Sequence, residues 1–142
     1  MKPHVWLAVL MALSTACGGA DRFEVRLHPM STNPDGEDEQ GFIYFNPPSS
    51  CRVDIKSGFF NTRETVTEVV MMGGSGVVSI TFSKSSDSGS SYTVLGNYEL
   101  SGEQEDEFNA GQMFIVVRTE EHPNGRLRGR IVPVDIPFTI GS

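Results

Sequence analysis

The sequence predicts an all-β fold, an antiparallel β-sandwich or flattened barrel of about 8–9 short strands. Three observations carry this. Apolar and polar residues alternate with period two along nearly every segment past the leader, and helical periodicity is almost absent. The breaks between segments carry turn chemistry, supplied from 15 Gly and 8 Pro among 142 residues. A composition of 38% hydrophobic and 20% charged residues is that of a folded globular chain and excludes a fully disordered one.

The segments follow in order. Phe23-Glu24-Val25-Arg26-Leu27 alternates cleanly. Gly41-Phe42-Ile43-Tyr44-Phe45 is apolar on both faces, which predicts a central or doubly covered strand. Cys51 to Lys56 alternates again and puts Cys51 on the face of Val53 and Ile55, as a small buried hydrophobe. Thr65 to Met72 is rich in β-branched residues, and Val78, Ile80 and Phe82 share one face of the next segment. Tyr92 to Leu100 is a strand with Gly96 as its bulge. Met113 to Thr119 and Gly125 to Val134 follow, with Ile136 to Ile140 as a short final strand. Turns are expected at Asn33-Pro34-Asp35-Gly36, Asn46-Pro47-Pro48-Ser49-Ser50, Gly73-Gly74-Ser75-Gly76 and His122-Pro123-Asn124-Gly125. The run Ser83 to Ser91 is low in complexity and predicts a long hairpin loop.

Residues 1–16 have a basic start, an apolar run from Val5 to Leu13 and small residues after it, the layout of a secretory signal. The run is too short to cross a bilayer, which takes about 20 apolar residues. Leu13-Ser14-Thr15-Ala16-Cys17 resembles the lipobox of bacterial lipoproteins. That resemblance implies a diacylglyceryl group on Cys17, a tether over residues 17–22, and a cell-envelope location, the outer membrane, facing periplasm or surface. Ser14 departs from the usual large aliphatic residue, so a plain signal peptide cut near Ala16 or Ala20 stays open. Removing residues 1–16 leaves 126 residues, enough for one domain over 23–142. The net charge moves from −7 to −8 with the loss of Lys2. A balance this acidic makes nucleic acid an unsuitable partner. With Cys17 lipidated, Cys51 has no partner within the chain; without lipid, a Cys17–Cys51 disulfide suits an exported protein.

Residues that carry chemistry are sparse. His28 and His122 stand far apart in sequence, too few for a histidine-based metal site, so no metal or cofactor is expected. Cys51, Met71, Met72 and Met113 could offer soft ligands to copper, but adjacent methionines on a strand point to opposite faces, so at most one of Met71 and Met72 joins a single site, and core methionines are the simpler reading. The acidic runs Asp35 to Glu39 and Glu103 to Glu107 could offer oxygen ligands to calcium, but they lack a recognised loop spacing and read as solvated loop faces. Arg126, Arg128 and Arg130 alternate along the last long segment, so they share one face, and Arg118 on the preceding strand can join them. Two uses are open: a ladder with the chain's own carboxylates, or an anion or partner patch.

The stretch from Gly111 to Ile131 resembles the C-terminal hairpin of the CHRD domain, a chordin-type domain found in secreted bacterial proteins. Thr119, Pro123, Gly125, Arg128 and Gly129 fall on its pattern, and the resemblance extends over Phe23 to Val134. Histidines usual in that family stand replaced here by Val70, Met72 and Arg118, so a metal role does not carry over. The match at Arg128 favours the ladder. The resulting expectation is a non-catalytic, exported, lipid-anchored envelope protein that binds or scaffolds, held to the membrane through Cys17. A metal-dependent enzyme or metal-binding protein with an unrecognised site, and a small-ligand-binding sandwich, are the alternatives.

Overall fold

The computed structural model describes residues 22–30, 39–85 and 90–134. The leader, Cys17, Asp35 to Asp38 and the strand expected over Ile136 to Ile140 lie outside them. The strands are β1 (Arg22–Pro29), β2 (Gln40–Phe45), β3 (Arg52–Asn61), β4 (Val66–Gly73), β5 (Gly76–Lys84), β6 (Ser91–Leu95), β7 (Asn97–Glu99), β8 (Phe114–Thr119), β9 (Leu127–Arg130) and β10 (Val132–Val134). Among the described residues one helix, α1 (Gly102–Asn109), stands between β7 and β8.

The antiparallel all-β architecture holds, but the sheet is a closed barrel. The order is β1-β2-β3-β6-β5-β4-β8-β9, and β9 returns to β1. Period-two alternation cannot distinguish a sandwich from a barrel, because each has one inner and one outer face. The distinction lies in β1, which is paired on both edges. Phe23 to Leu27 pair with Phe45 to Gly41 on one side. On the other, His28 and Pro29 pair with Arg128 and Leu127, and Arg22 to Glu24 pair with Val134 to Val132 of β10. Gly129 makes this seam possible: a Cβ there would collide with the Arg26 carbonyl oxygen and with Val25.

The inner face fills with Val25, Leu27, Ile43, Met71, Ile115 and Val117, each fully buried. The segment Gly41 to Phe45, apolar on both faces, is a wall strand rather than a doubly covered one. Ile43 and Phe45 point inward, while Phe42 and Tyr44 remain part-exposed on the outside. Their rings lie beneath the guanidinium groups of Arg26 and Arg22, at 5.6 and 5.0 Å. The strand from Tyr92 to Leu100 breaks at Gly96, as its bulge position predicts, where φ is +118°.

The acidic run Glu103 to Glu107 is a helix, not a loop. Ser101 forms a capping box: its hydroxyl accepts from the Gln104 amide at 3.0 Å, and the Gln104 side chain accepts from the Ser101 amide at 2.8 Å. Glu103 and Glu105 in the first turn complement the helix dipole. Phe108, fully buried, inserts into the barrel end against Phe23 and Phe45, with ring centroids 4.7 and 5.2 Å away. Two acids then tie α1 to neighbouring turns. Glu107 accepts from the Ser75 hydroxyl at 2.7 Å, and Glu105 from the Cys51 amide at 3.1 Å.

Cys51 departs from its expected place on the core face. It sits in the turn before β3, part-buried, with a left-handed φ of 61° following Ser50 at 52°. The turn displaces it from the alternation that starts at Arg52. A hydrogen bond with Glu105, then burial, pushes its thiol above the ordinary range, which favours the unreactive protonated form.

Candidate functional site

The barrel end opposite α1 is built by the approach to β2, the β3–β4 turn and the β8–β9 hairpin. These bring Glu39, Thr62, Glu64, Thr119, His122 and Arg126 together from distant points in the chain. Arg126 donates to Glu39 across 2.7 Å, and the two residues are 3% and 2% exposed. Thr62 Oγ1 and the Arg63 amide also donate to the Glu39 carboxylate, at 2.9 and 3.1 Å. Arg126 Nη1 lies 3.4 Å from Glu64 Oε2. Glu64 Oε1 in turn accepts from Thr119 Oγ1 at 2.6 Å and meets His122 Nδ1 at 2.7 Å. Burial alone would raise the Glu39 carboxyl. The hydrogen bonds from Arg126, Arg63 and Thr62, with the Arg126 charge, overcome that and hold it below the ordinary value of 4.5.

The four arginines expected on one face therefore divide into three environments. Arg126 is a correction to that expectation. It precedes β9 at the hairpin, where the chain is still turning, and its side chain enters the barrel end instead of the outer wall. Arg118 stands opposite Glu68 across β4 and β8 and bonds it at 3.0 Å, which is the ladder arrangement. Arg128 and Arg130 are exposed on the outer wall, and among the described residues neither has a carboxylate partner. The Arg128 guanidinium lies 4.2 Å above the Phe114 ring. Both arginines line a hollow of about 340 Å³ with Pro29, Met30, Phe114 and Gly129.

This hollow is chemically suited to an anionic group with an apolar neighbour. Two guanidinium groups offer fixed donors, and Phe114 and Met30 offer apolar surface. A second hollow, of about 420 Å³, surrounds Cys51, but its arginine, Arg52, is engaged by Glu99 at 3.2 Å. Val70, Met72 and Arg118 lie on the face of the β4–β8 pair away from Met71 and Ile115, where buried Val70 faces Val116 and Met72 faces Phe114. Met71 and Met113 are core residues. Among the described residues, no group of three or more His, Cys, Asp or Glu is arranged to hold a metal ion, and no helix is long and apolar enough to cross a membrane.

Sequence reading missed Glu39, Glu64 and His122 as a unit. No local spacing connects them; only barrel closure makes them neighbours. Thr119 was marked by the hairpin pattern, and its role is now visible: its hydroxyl also accepts from the His122 amide at 3.0 Å and so fixes the turn.

No curated protein and no solved structure matches the chain. A family model described as the CHRD domain matches residues 55–131, from β3 through the β8–β9 hairpin to the residue after it. That span is more than half of the 142 residues and takes in the β9 side of the closing seam and most of the polar network, so the chain belongs to the CHRD domain family.

Proposed function

We propose that this chain is a non-catalytic, exported, lipid-anchored envelope protein whose CHRD domain serves as a binding or scaffolding module. The outer-wall hollow is its contact site, and Arg128 and Arg130 are its recognition groups. The observation that carries this is the pair of exposed guanidinium groups without carboxylate partners among the described residues, set beside Phe114 on an acidic protein. An unpaired arginine face on a chain of net charge −7 attracts anionic partners by contrast with its own surroundings. The lipobox-like segment ending at Cys17 supports the anchor and the envelope location.

Two experiments test the reading. Intact mass of the membrane-fraction protein should show a diacylglyceryl group on a chain starting at Cys17; an unmodified soluble chain removes the anchor. A charge-reversed Arg128→Glu/Arg130→Glu variant, still folded by circular dichroism, should lose its envelope contacts in crosslinking; unchanged contacts remove the hollow as the site. Arg126 must be left intact in that variant, because its reversal would unfold the barrel end. Titration calorimetry with copper, zinc and calcium addresses the metal-binding alternative: tight stoichiometric binding would replace the proposal.

A further inference from the structure

The arginine hollow is one part of a longer surface. The outer faces of β9, β1 and β2 lie side by side, with His28 opposite Arg128 and Arg26 opposite Phe42. Across them run Arg128, Arg130, Arg26 and Arg22. Among the described residues, the carboxylate on this wall is Glu24, shared between Arg22 and Arg26 at 3.9 and 3.8 Å. Four guanidinium groups against one carboxylate, counted over the described residues, is a strong local excess on a protein of net charge −7. Three of these arginines lie over aromatic rings, Tyr44, Phe42 and Phe114. At the margin, Phe59 packs beside Phe42 with ring centroids 5.9 Å apart and is still 51% exposed. Met30 at the hollow is 47% exposed.

The geometry points to an anionic lipid surface as the occupant of this wall. Cationic arginines interleaved with part-exposed aromatic and apolar side chains match a headgroup layer, where guanidinium groups meet phosphates and rings lie at the boundary. Covalent arithmetic favours the same occupant. Four residues separate Cys17 from Arg22, and an extended chain covers at most about 3.6 Å per residue, so an acyl anchor on Cys17 would keep the start of β1 within about 18 Å of the membrane. β1 is the central strand of the wall. The inference rests on the reading of Arg128 and Arg130 as a contact site and names what they contact. A soluble acidic protein is the competing occupant.

The test uses the full chain with Cys17→Ser, so that no acyl group contributes, in flotation with vesicles. One vesicle is phosphatidylcholine alone; the other is phosphatidylcholine and phosphatidylglycerol in equal parts. The protein should float with the mixed vesicles, remain behind with phosphatidylcholine alone, and detach as salt is raised. Each arginine at an anionic surface contributes about fivefold in partitioning, so Arg128→Glu/Arg130→Glu should weaken binding by at least about 25-fold. Phe59→Ser should weaken it by a smaller factor and leave the salt dependence intact. Arg52→Glu, on a different part of the barrel, should bind as the parent does. Arg128→Gln/Arg130→Gln repeats the measurement should charge reversal disturb folding. Absence of a preference for the mixed vesicles, or equal binding by both arginine variants, overturns the lipid assignment. If those variants still lose an envelope protein crosslink, the contact site survives with a protein occupant; if they lose nothing, the contact site fails as well.

Discussion

The two ends of the barrel are closed by opposite chemistry. At one end α1 drives Phe108 between Phe23 and Phe45, and the closure is aromatic and dry. At the other, Glu39 and Arg126 meet in a buried ion pair that continues through Glu64 to Thr119 and His122. Apolar closure is forgiving, since neighbouring side chains can settle into a partial void. Ionic closure is not: a lone buried charge keeps its full desolvation cost. The polar end is accordingly the more sensitive to single changes and the more tolerant of paired ones.

The largest expected effect breaks the polar end. Arg126→Ala leaves Glu39 buried without its cation and should destabilise the domain by about 3–5 kcal/mol in urea unfolding. Glu39→Leu combined with Arg126→Met should recover most of that loss; a double variant as unstable as Arg126→Ala would remove the ionic account. At the aromatic end, Phe108→Ala should cost about 3 kcal/mol, near the low side for a buried phenylalanine, because the eight-residue α1 can settle toward the barrel. Changing Phe23 as well should not rescue it.

Acid separates the ends more finely. The folded Glu39 carboxyl titrates below 4.5, so between the folded and unfolded values the unfolded chain holds more protons. Its contribution is complete above the unfolded value and is lost as pH falls through the folded one. Between about pH 6 and about pH 3, Glu39→Gln should therefore lose less stability than the parent, whereas Phe108→Ala should lose as much. A Glu39→Gln slope matching the parent would contradict the lowered carboxyl. Smaller effects follow at the ties around α1. Glu107→Gln weakens the Ser75 contact and should cost about 1 kcal/mol by thermal unfolding. The part-exposed Arg118–Glu68 pair should matter least, with Arg118→Ala changing stability by under about 1 kcal/mol.

Within the described residues, the strands and turns were legible in the sequence because alternation and Gly or Pro breaks are local signals; the turn expected at Asn33 to Gly36 lies outside those residues. Which strands become neighbours is not local. The same inward residues would serve a sandwich, and the closed ring rests on β1 accepting a partner on each edge. The α1 segment carried a readable mark, Ser101 followed three places later by Gln104, but its acids and a single buried phenylalanine gave no helical stripe. Arg126 misled because period two holds only where a strand is extended, and it lies at the hairpin just before β9. Glu39 read as the end of a solvated acidic run, yet it is buried, because its partner is an arginine 87 positions away. The exposed pair Arg128 and Arg130 was readable from spacing, while the arginines of β1 join them only because the ring places β1 beside β9.

The seam at Gly129 also orders events in time. β1 can zip to β2 early, yet its second neighbour is contributed by the far end of the described chain. Until that segment arrives, the sheet is an open ribbon with two bare edges, each a template for association with other molecules. Ring completion is thus a long-range pairing with a large loop-closure cost. The close approach of two backbones at Gly129 is therefore the point at which both bare edges disappear together.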